Sequence, residues 1–303
     1  MAMRVATFAL NDQMIASALR TQSVMAKEQI QEATGVVSPD YGGLGQTSQQ
    51  VINLQVSVAR SQSYGDAATA SDNRVQAMYS TVTSISGVLS DLRTALTAAS
   101  NSVSVDPATV AASAQQMLQE MASMLNTQYN GEYLFGGART ESPPVDISST
   151  AYPPATSPSS PNTSYYQGDS QLASTRVSDS EVVTYGVTAD NSAFEQGMRA
   201  LSLVANNSPL SADTLNEALN LTVNAIDGTS RVQAGLGLAS KSLENASSYQ
   251  SDYQNFAKTL GDDLTGVDVA AVTAQLSTYD AQLSASYSAI SKIQGLDLAN
   301  YLH

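Results

Sequence analysis

The chain has 303 residues, 42% hydrophobic but only 13% charged, and its 27 acids against 13 bases leave a formal charge of −14. That acidity argues against a nucleic-acid binder, which needs a cationic footprint on phosphates, and an anionic membrane surface repels the chain for the same reason. Cysteine and tryptophan are absent and the one histidine is the last residue, His303, so a thiolate nucleophile, a zinc cluster and a triad with an interior histidine are all excluded.

The first twenty residues hold two arginines, Arg4 and Arg20, and a short apolar run broken by Asn11 and Asp12, which fails as a cleaved signal peptide. No stretch approaches the roughly 18 apolar residues of a membrane span. Ile15, Leu19, Ala26 and Ile30 set an amphipathic stripe near the N-terminus. Val51, Leu54 and Val58 open a second stripe, which continues as Val75, Met78, Val82, Ile85, Leu89, Leu92 and Leu96 at spacings of 3 and 4. That is an uninterrupted heptad seam, and the spacing predicts one helix over about 45–100, on the order of 80 Å long. Asp106-Pro107 reads as an N-cap followed by a first-turn proline. Ala114, Met117, Met121 and Met124 then repeat the pattern as packed core.

From Tyr133 to about Tyr185 the character changes, with six of the nine prolines at 143, 144, 153, 154, 158 and 161. Helix is excluded there. The flanks Tyr133-Leu134-Phe135 and Glu181–Tyr185 favour strand, so a small β-rich insertion with a loose Pro/Ser loop near 150–162 is expected, with a disordered linker as the alternative. Helix returns at about 191–206 (Phe194, Met198, Leu201) and from about 211, where Leu215, Leu219, Val223 and Ile226 form the stripe. Gly228 suggests a bend, and Gly261-Asp262-Asp263 with Gly266 a break. The last element carries Val269, Val272, Leu276, Tyr279, Leu283, Tyr287, Ile290 and Ile293.

Terminal helices bracketing a helical stretch, which brackets a β insertion, predict a mainly α fold: a long antiparallel helical rod, with paired terminal coiled-coil helices and a small β-rich insertion. The terminal stripes gain from burial only beside a partner, at roughly 25 cal/mol per Å². Pairing within one molecule and packing between copies both satisfy them, and the low charge and small side chains favour the second.

Four stretches resemble the flagellin superfamily, and within it the hook-associated protein 3 family that joins the hook to the filament. They are Met3-Arg4-Val5-Ala6-Thr7; Thr34-Gly35-Val36-Val37-Ser38-Pro39-Asp40; Asn130–Gly137 with Thr140, Pro144 and Tyr166-Gln167-Gly168-Asp169; and Leu283–Tyr287 with Gly295–Leu302. The resemblance implies a structural subunit of the bacterial flagellum without enzymatic activity, with filament flagellin as the alternative role. It implies that residues 1–35 with 268–303 form an inner tube, 36–140 with 188–267 a rod, and 141–187 an outer domain. The assembly interface is then the two terminal stripes, extended by Leu296 and Leu298. Further implications are export without a cleaved signal, an extracellular location, a chaperone on the C-terminal helix, and neighbouring hook-associated protein and flagellin as partners. No cofactor is expected.

Competing motifs are weak. Gly42-Gly43-x-Gly45 lacks the Lys-Ser/Thr of a phosphate loop and reads as a turn between helices. Asp262, Asp263 and Asp268 miss the calcium-loop spacing and read as a solvated turn capping the last helix. Tyr152, Tyr165 and Tyr166 read as ordinary loop tyrosines, and Arg93 as a solvent-facing residue opposite the apolar seam. A hydrolase or carbohydrate-binding module in the insertion is the reading from a different class.

Overall fold

A computed structural model describes residues 2–101 and 106–294. Among these are α1 (Ala2–Thr34), a 3-10 turn (Tyr41–Thr47), α2 (Ser48–Asn101), α3 (Pro107–Leu125), α4 (Ser192–Asn206), α5 (Ala212–Thr265) and α6 (Val269–Gln294). Four short strands, β1 (Gln128–Tyr129), β2 (Glu132–Tyr133), β3 (Ala173–Arg176) and β4 (Val182–Tyr185), form two separate antiparallel pairs. The fold is mainly α with a small β insertion. The chain divides into two compact units, Met1–Arg60 with Tyr253–His303, and Ser61–Asp252.

The core of the second unit is the heptad seam of α2. All seven residues from Val75 to Leu96 are 2% exposed or less, each contributing about 1.5–3 kcal/mol of transfer free energy. Helix α3 begins where the sequence predicts: the Asp106 carboxylate accepts the Ala108 N–H at 3.1 Å, with Pro107 in the first turn. Met121 is fully buried, while Met117 and Met124 are half-buried against the same core. Helix α4 packs on α3, and Gly197 allows the approach, since a Cβ there would stand 2.9 Å from Leu89 Cδ2 and 3.0 Å from Met121 Cε. Phe135 meets Phe194 edge-on at 6.0 Å.

Helix α5 departs from expectation. Val223 is 42% exposed, and Leu215, Leu219 and Ile226 are only half-buried. The buried positions are Ala218, Thr222, Ala225 and Thr229, one residue round the helix. Small side chains occupy this seam because neighbouring backbones come close: a Cβ on Gly228 would lie 2.6 Å from Ala193 Cβ. Gly228 therefore marks a close approach inside a continuous helix. Gly261, Asp262 and Asp263 are helical too, and the helix runs on to Thr265.

In the insertion, β1 and β2 are joined by Asn130-Gly131 with φ of 52° and 83°, the two-residue turn that an Asn-Gly pair favours. In the β3–β4 hairpin, Thr175 pairs with Val183 and Ala173 with Tyr185. Val183, Tyr185, Val187 and Val177 are buried, while Arg176 and Val182 lie on the outer face.

The Pro/Ser loop is not loose. The Ala155 N–H donates to Ser202 Oγ at 3.0 Å, Ser157 Oγ to Glu217 at 2.6 Å and the Asn162 N–H to Glu195 at 3.0 Å. Ser159 donates to Glu217 through both its N–H and its hydroxyl. The tyrosines are packed rather than displayed. Tyr165 is fully buried, donates to the Ala189 carbonyl at 2.9 Å and meets Tyr152 edge-on at 5.2 Å, while Tyr166 donates to the Asp169 carbonyl at 2.6 Å. Arg93 is exposed.

Candidate assembly interface

The predicted site residues that the structure describes fall in the first unit, on α1 and α6. Helix α6 starts at Asp268, whose carboxylate accepts the Ala270 and Ala271 N–H groups at 2.9 and 3.1 Å. It runs back along α1, with Thr273 Oγ1 donating to Glu32 Oε1 at 2.8 Å. A backbone clasp closes the pair: the Val37 N–H donates to the Thr265 carbonyl at 2.7 Å and the Val267 N–H to the Gly35 carbonyl at 3.0 Å. Gly35 sits at φ 71°, a conformation that disfavours a side chain.

The inward seam of α6 is Val272, Leu276, Tyr279, Leu283, Ser286, Ile290 and Ile293, at alternating spacings of 4 and 3. Val272, Leu276 and Leu283 are buried; Tyr279, Ile290 and Ile293 are half-buried. The inward positions of α1 are Asn11, Met14, Ala18, Thr21, Met25 and Glu28, of which Ala18 is buried. Three of the six are polar. Asn11 Oδ1 and Glu28 Oε2 are buried with no hydrogen-bond partner among the described residues, a cost of roughly 1–3 kcal/mol per group.

The remaining predicted residues point elsewhere. Ile15 is half-buried, whereas Leu19 is 59% exposed, Ile30 51%, Val269 44% and Tyr287 53%, and Ala26 is exposed. Leu296 and Leu298 lie outside the described residues. Val24, absent from the predicted stripe, is also exposed. The periodicity thus holds two faces of α1: a thin, partly polar one against α6, and a more apolar one bare in the single chain.

This exposure is concentrated. Of sixteen large apolar side chains exposed among the described residues, ten lie in the first unit, little more than a third of the chain. Tyr41, Ile52, Val56, Phe256 and Leu260 complete the set. Helices α1 and α6 are also each electroneutral, with Arg4, Arg20 and Lys27 against Asp12, Glu28 and Glu32, and Lys292 against Asp280, so the whole formal charge of −14 lies outside them. An exposed apolar surface on helices with no net charge is one that identical copies can share without strong repulsion.

A polar cluster in the second unit was not anticipated from the sequence. Glu195, nearly buried, forms an ion pair with Arg199 at 3.0 Å, and Glu217 holds the two loop serines. Burial raises the Glu217 carboxyl, but hydrogen bonds from Ser157 and Ser159, with Arg199 nearby, outweigh it and leave the group below the ordinary glutamate value. Burial, with Glu195 adding to it, pushes Tyr152 up to about 12. The i, i+4 spacing of Glu195 and Arg199 was the readable signal. Every carboxylate there has a structural partner, so the cluster anchors the loop. Among the described residues no group of His, Cys, Asp and Glu could hold a metal ion, and no helix is long and apolar enough to cross a membrane.

Comparison with known families decides what carries this surface. Residues 5–140 match the bacterial flagellin N-terminal helical region, and residues 219–302 match the bacterial flagellin C-terminal helical region. The chain belongs to the flagellin family. Both matched regions contain most of the terminal helices described above, and a flagellin-family chain is a structural component of the bacterial flagellum. No curated protein matches the chain. Among solved structures, it is similar to a putative flagellar hook-associated protein from Vibrio parahaemolyticus, with a TM-score of 0.60, 16% identity, and coverage of 72% of this chain and 97% of that one. Flagellar hook associated protein-3 from Legionella pneumophila matches with a TM-score of 0.45, 14% identity, and coverage of 71% and 97%. FlgL from Bacillus cereus matches with a TM-score of 0.37, 14% identity, and coverage of 73% and 96%. The first of these shares the fold of this flagellin-family chain.

Proposed function

We propose that this chain is a non-enzymatic adaptor of the flagellum, joining hook to filament by polymerising through its terminal helices. The observation that carries the reading is the set of bare apolar side chains on α1 and α6, a pair of helices with no net charge. Leu19 and Ile30 lie on one face of α1 with Val24 on its other flank, and Val269 and Tyr287 lie on α6. Val272, Leu276 and Leu283 hold the pair together, and the exposed set meets neighbouring copies. In this reading residues 1–35 with 268–303 make the inner layer, 36–140 with 188–267 the rod, and 141–187 the outer domain. The neighbours are a hook-associated protein and flagellin, a chaperone holds the C-terminal helix before export, and the location is extracellular, reached without a cleaved signal.

The alternative is the filament subunit itself. The segment Gly131-Glu132-Tyr133-Leu134-Phe135-Gly136-Gly137 favours the junction role through its resemblance, as does the name of the Vibrio structure. Seeding purified protein with its own fragments separates the two. Short rings or no growth by electron microscopy is expected, and micrometre filaments give the filament role instead. Deleting 268–303 is expected to leave a soluble, helical protein that does not assemble; loss of most helical circular dichroism would contradict a separable inner layer.

A further inference from the structure

The β3–β4 hairpin occupies a place in the second unit that the assembly reading does not use. Its base lies against the middle of α2: a Cβ on Gly186 would meet Met78 Cε at 3.4 Å. Its tip reaches the start of the unit, where Gln250 Nε2 donates to the Val177 carbonyl at 2.7 Å and Tyr64 donates to Asp179 Oδ1 at 2.8 Å. The same Gln250 amide accepts from Ser61 Oγ at 2.8 Å. One buried side chain therefore ties three elements, using its donor for the hairpin and its acceptor for α2.

What lies beneath the hairpin differs from the rest of the core. On α2 the large fully buried side chains begin at Met78, and α5 contributes Leu243 at 0% exposure among mostly small neighbours. Below Val75 the α2–α5 seam is Ser61, Ala68 and Ser71 facing Ser240, Leu243 and Gln250. It is cross-linked by polar contacts: Ser240 donates to Asp72 at 2.6 Å, Gln76 donates to Ser240 at 2.8 Å, and Thr69 meets Ser247 at 3.2 Å. Small polar side chains bury little apolar area, so this stretch draws little of the stabilisation that holds 75–96. The hairpin's Val177, Val183 and Tyr185 are buried in the same apolar cluster as Ala68, Val75 and Leu243.

We infer that the β3–β4 hairpin is a strap that keeps α2 and α5 together over 61–75 and 240–252, and that release of its tip is the first local opening of the second unit. Segments with few buried apolar contacts open at lower free energy than the core they adjoin. The strap's fastening is polar and small, so it can let go without unpacking Met78, Val82 or Ile85. This holds for a single molecule and is independent of what the terminal helices assemble with.

Hydrogen exchange on the full-length monomer tests it, with Gln250→Ala and, as a milder change that keeps packing, Tyr64→Phe. Losing a buried hydrogen bond is expected to speed exchange of 61–75, 177–181 and 240–252 about tenfold or more in Gln250→Ala, and less in Tyr64→Phe. Amides of 78–96 and 192–206 are expected to be unchanged. Equal acceleration of both sets in either variant would make the unit one cooperative block and overturn the strap; no acceleration in either variant would also overturn it.

Discussion

Gly87 and Gly228 are both glycines inside long helices, yet they answer opposite needs. Gly87 has nothing within 4 Å of where a Cβ would go, whereas the Cβ of Gly228 would meet Ala193 Cβ at 2.6 Å and Cα at 3.1 Å. Gly87→Ala is therefore expected to raise stability by about 0.5–1 kcal/mol, and Gly228→Ala to lower it by about 1–3 kcal/mol through overpacking. Urea midpoints of the two variants measure both. Glu217 makes a pH-dependent contribution. Its folded value is depressed, so its stabilisation is full above the ordinary glutamate value near 4.5 and is lost as pH falls through the folded value. Glu217→Gln is expected to melt earlier than wild type at neutral pH, with the gap closing on acidification below about pH 4.5. A gap that stays constant down to pH 2 would remove the carboxylate from the loop's anchorage.

Among the helices, the two faces of the terminal pair predict separable effects. Leu276→Ala removes a buried seam residue and is expected to lower monomer stability by about 2–5 kcal/mol. Leu19→Ser and Ile30→Ser alter exposed positions and are expected to leave the monomer's melting curve within about 0.5 kcal/mol of wild type while weakening assembly in light scattering. The heptad from Val75 to Leu96 was legible residue by residue, because large side chains in a long regular seam have one way to face the core. The seam of α5 was not. Leu215, Leu219, Val223 and Ile226 form the louder pattern, yet Ala218, Thr222, Ala225 and Thr229 face inward, since a crowded centre selects volume before hydrophobicity. On α1 the same competition puts Ala18 inside and Leu19 outside. Periodicity located both terminal stripes, but it could not separate the face turned to α6 from the face left bare, because both are apolar enough to register. The Pro/Ser loop was misread for another reason: its anchors, Ser202, Glu195 and Glu217, lie 33 to 60 residues away in sequence.

For the molecule as a whole, charge and apolar exposure are segregated. The formal charge of −14 sits outside α1 and α6, while most exposed apolar side chains sit in the unit that contains them. Copies meeting through those helices carry like charge into the same neighbourhood, and salt screens it, with a Debye length falling from about 30 Å at 0.01 M to about 8 Å at 0.15 M. Assembly followed by light scattering is expected to increase across that range; a fall would mean that opposite charges, rather than apolar faces, hold the copies together. The packed pair Tyr152 and Tyr165 has a practical consequence. Without tryptophan, ultraviolet emission comes from tyrosine alone, and six of the fourteen tyrosines lie between Tyr129 and Tyr185. Burial holds the Tyr152 phenol protonated up to about 12 and pushes Tyr165 higher still. Phenolate absorbance in an alkaline titration will thus lag for these two rings, and the chain's own optical signal reports whether the insertion stays folded while the helices are perturbed.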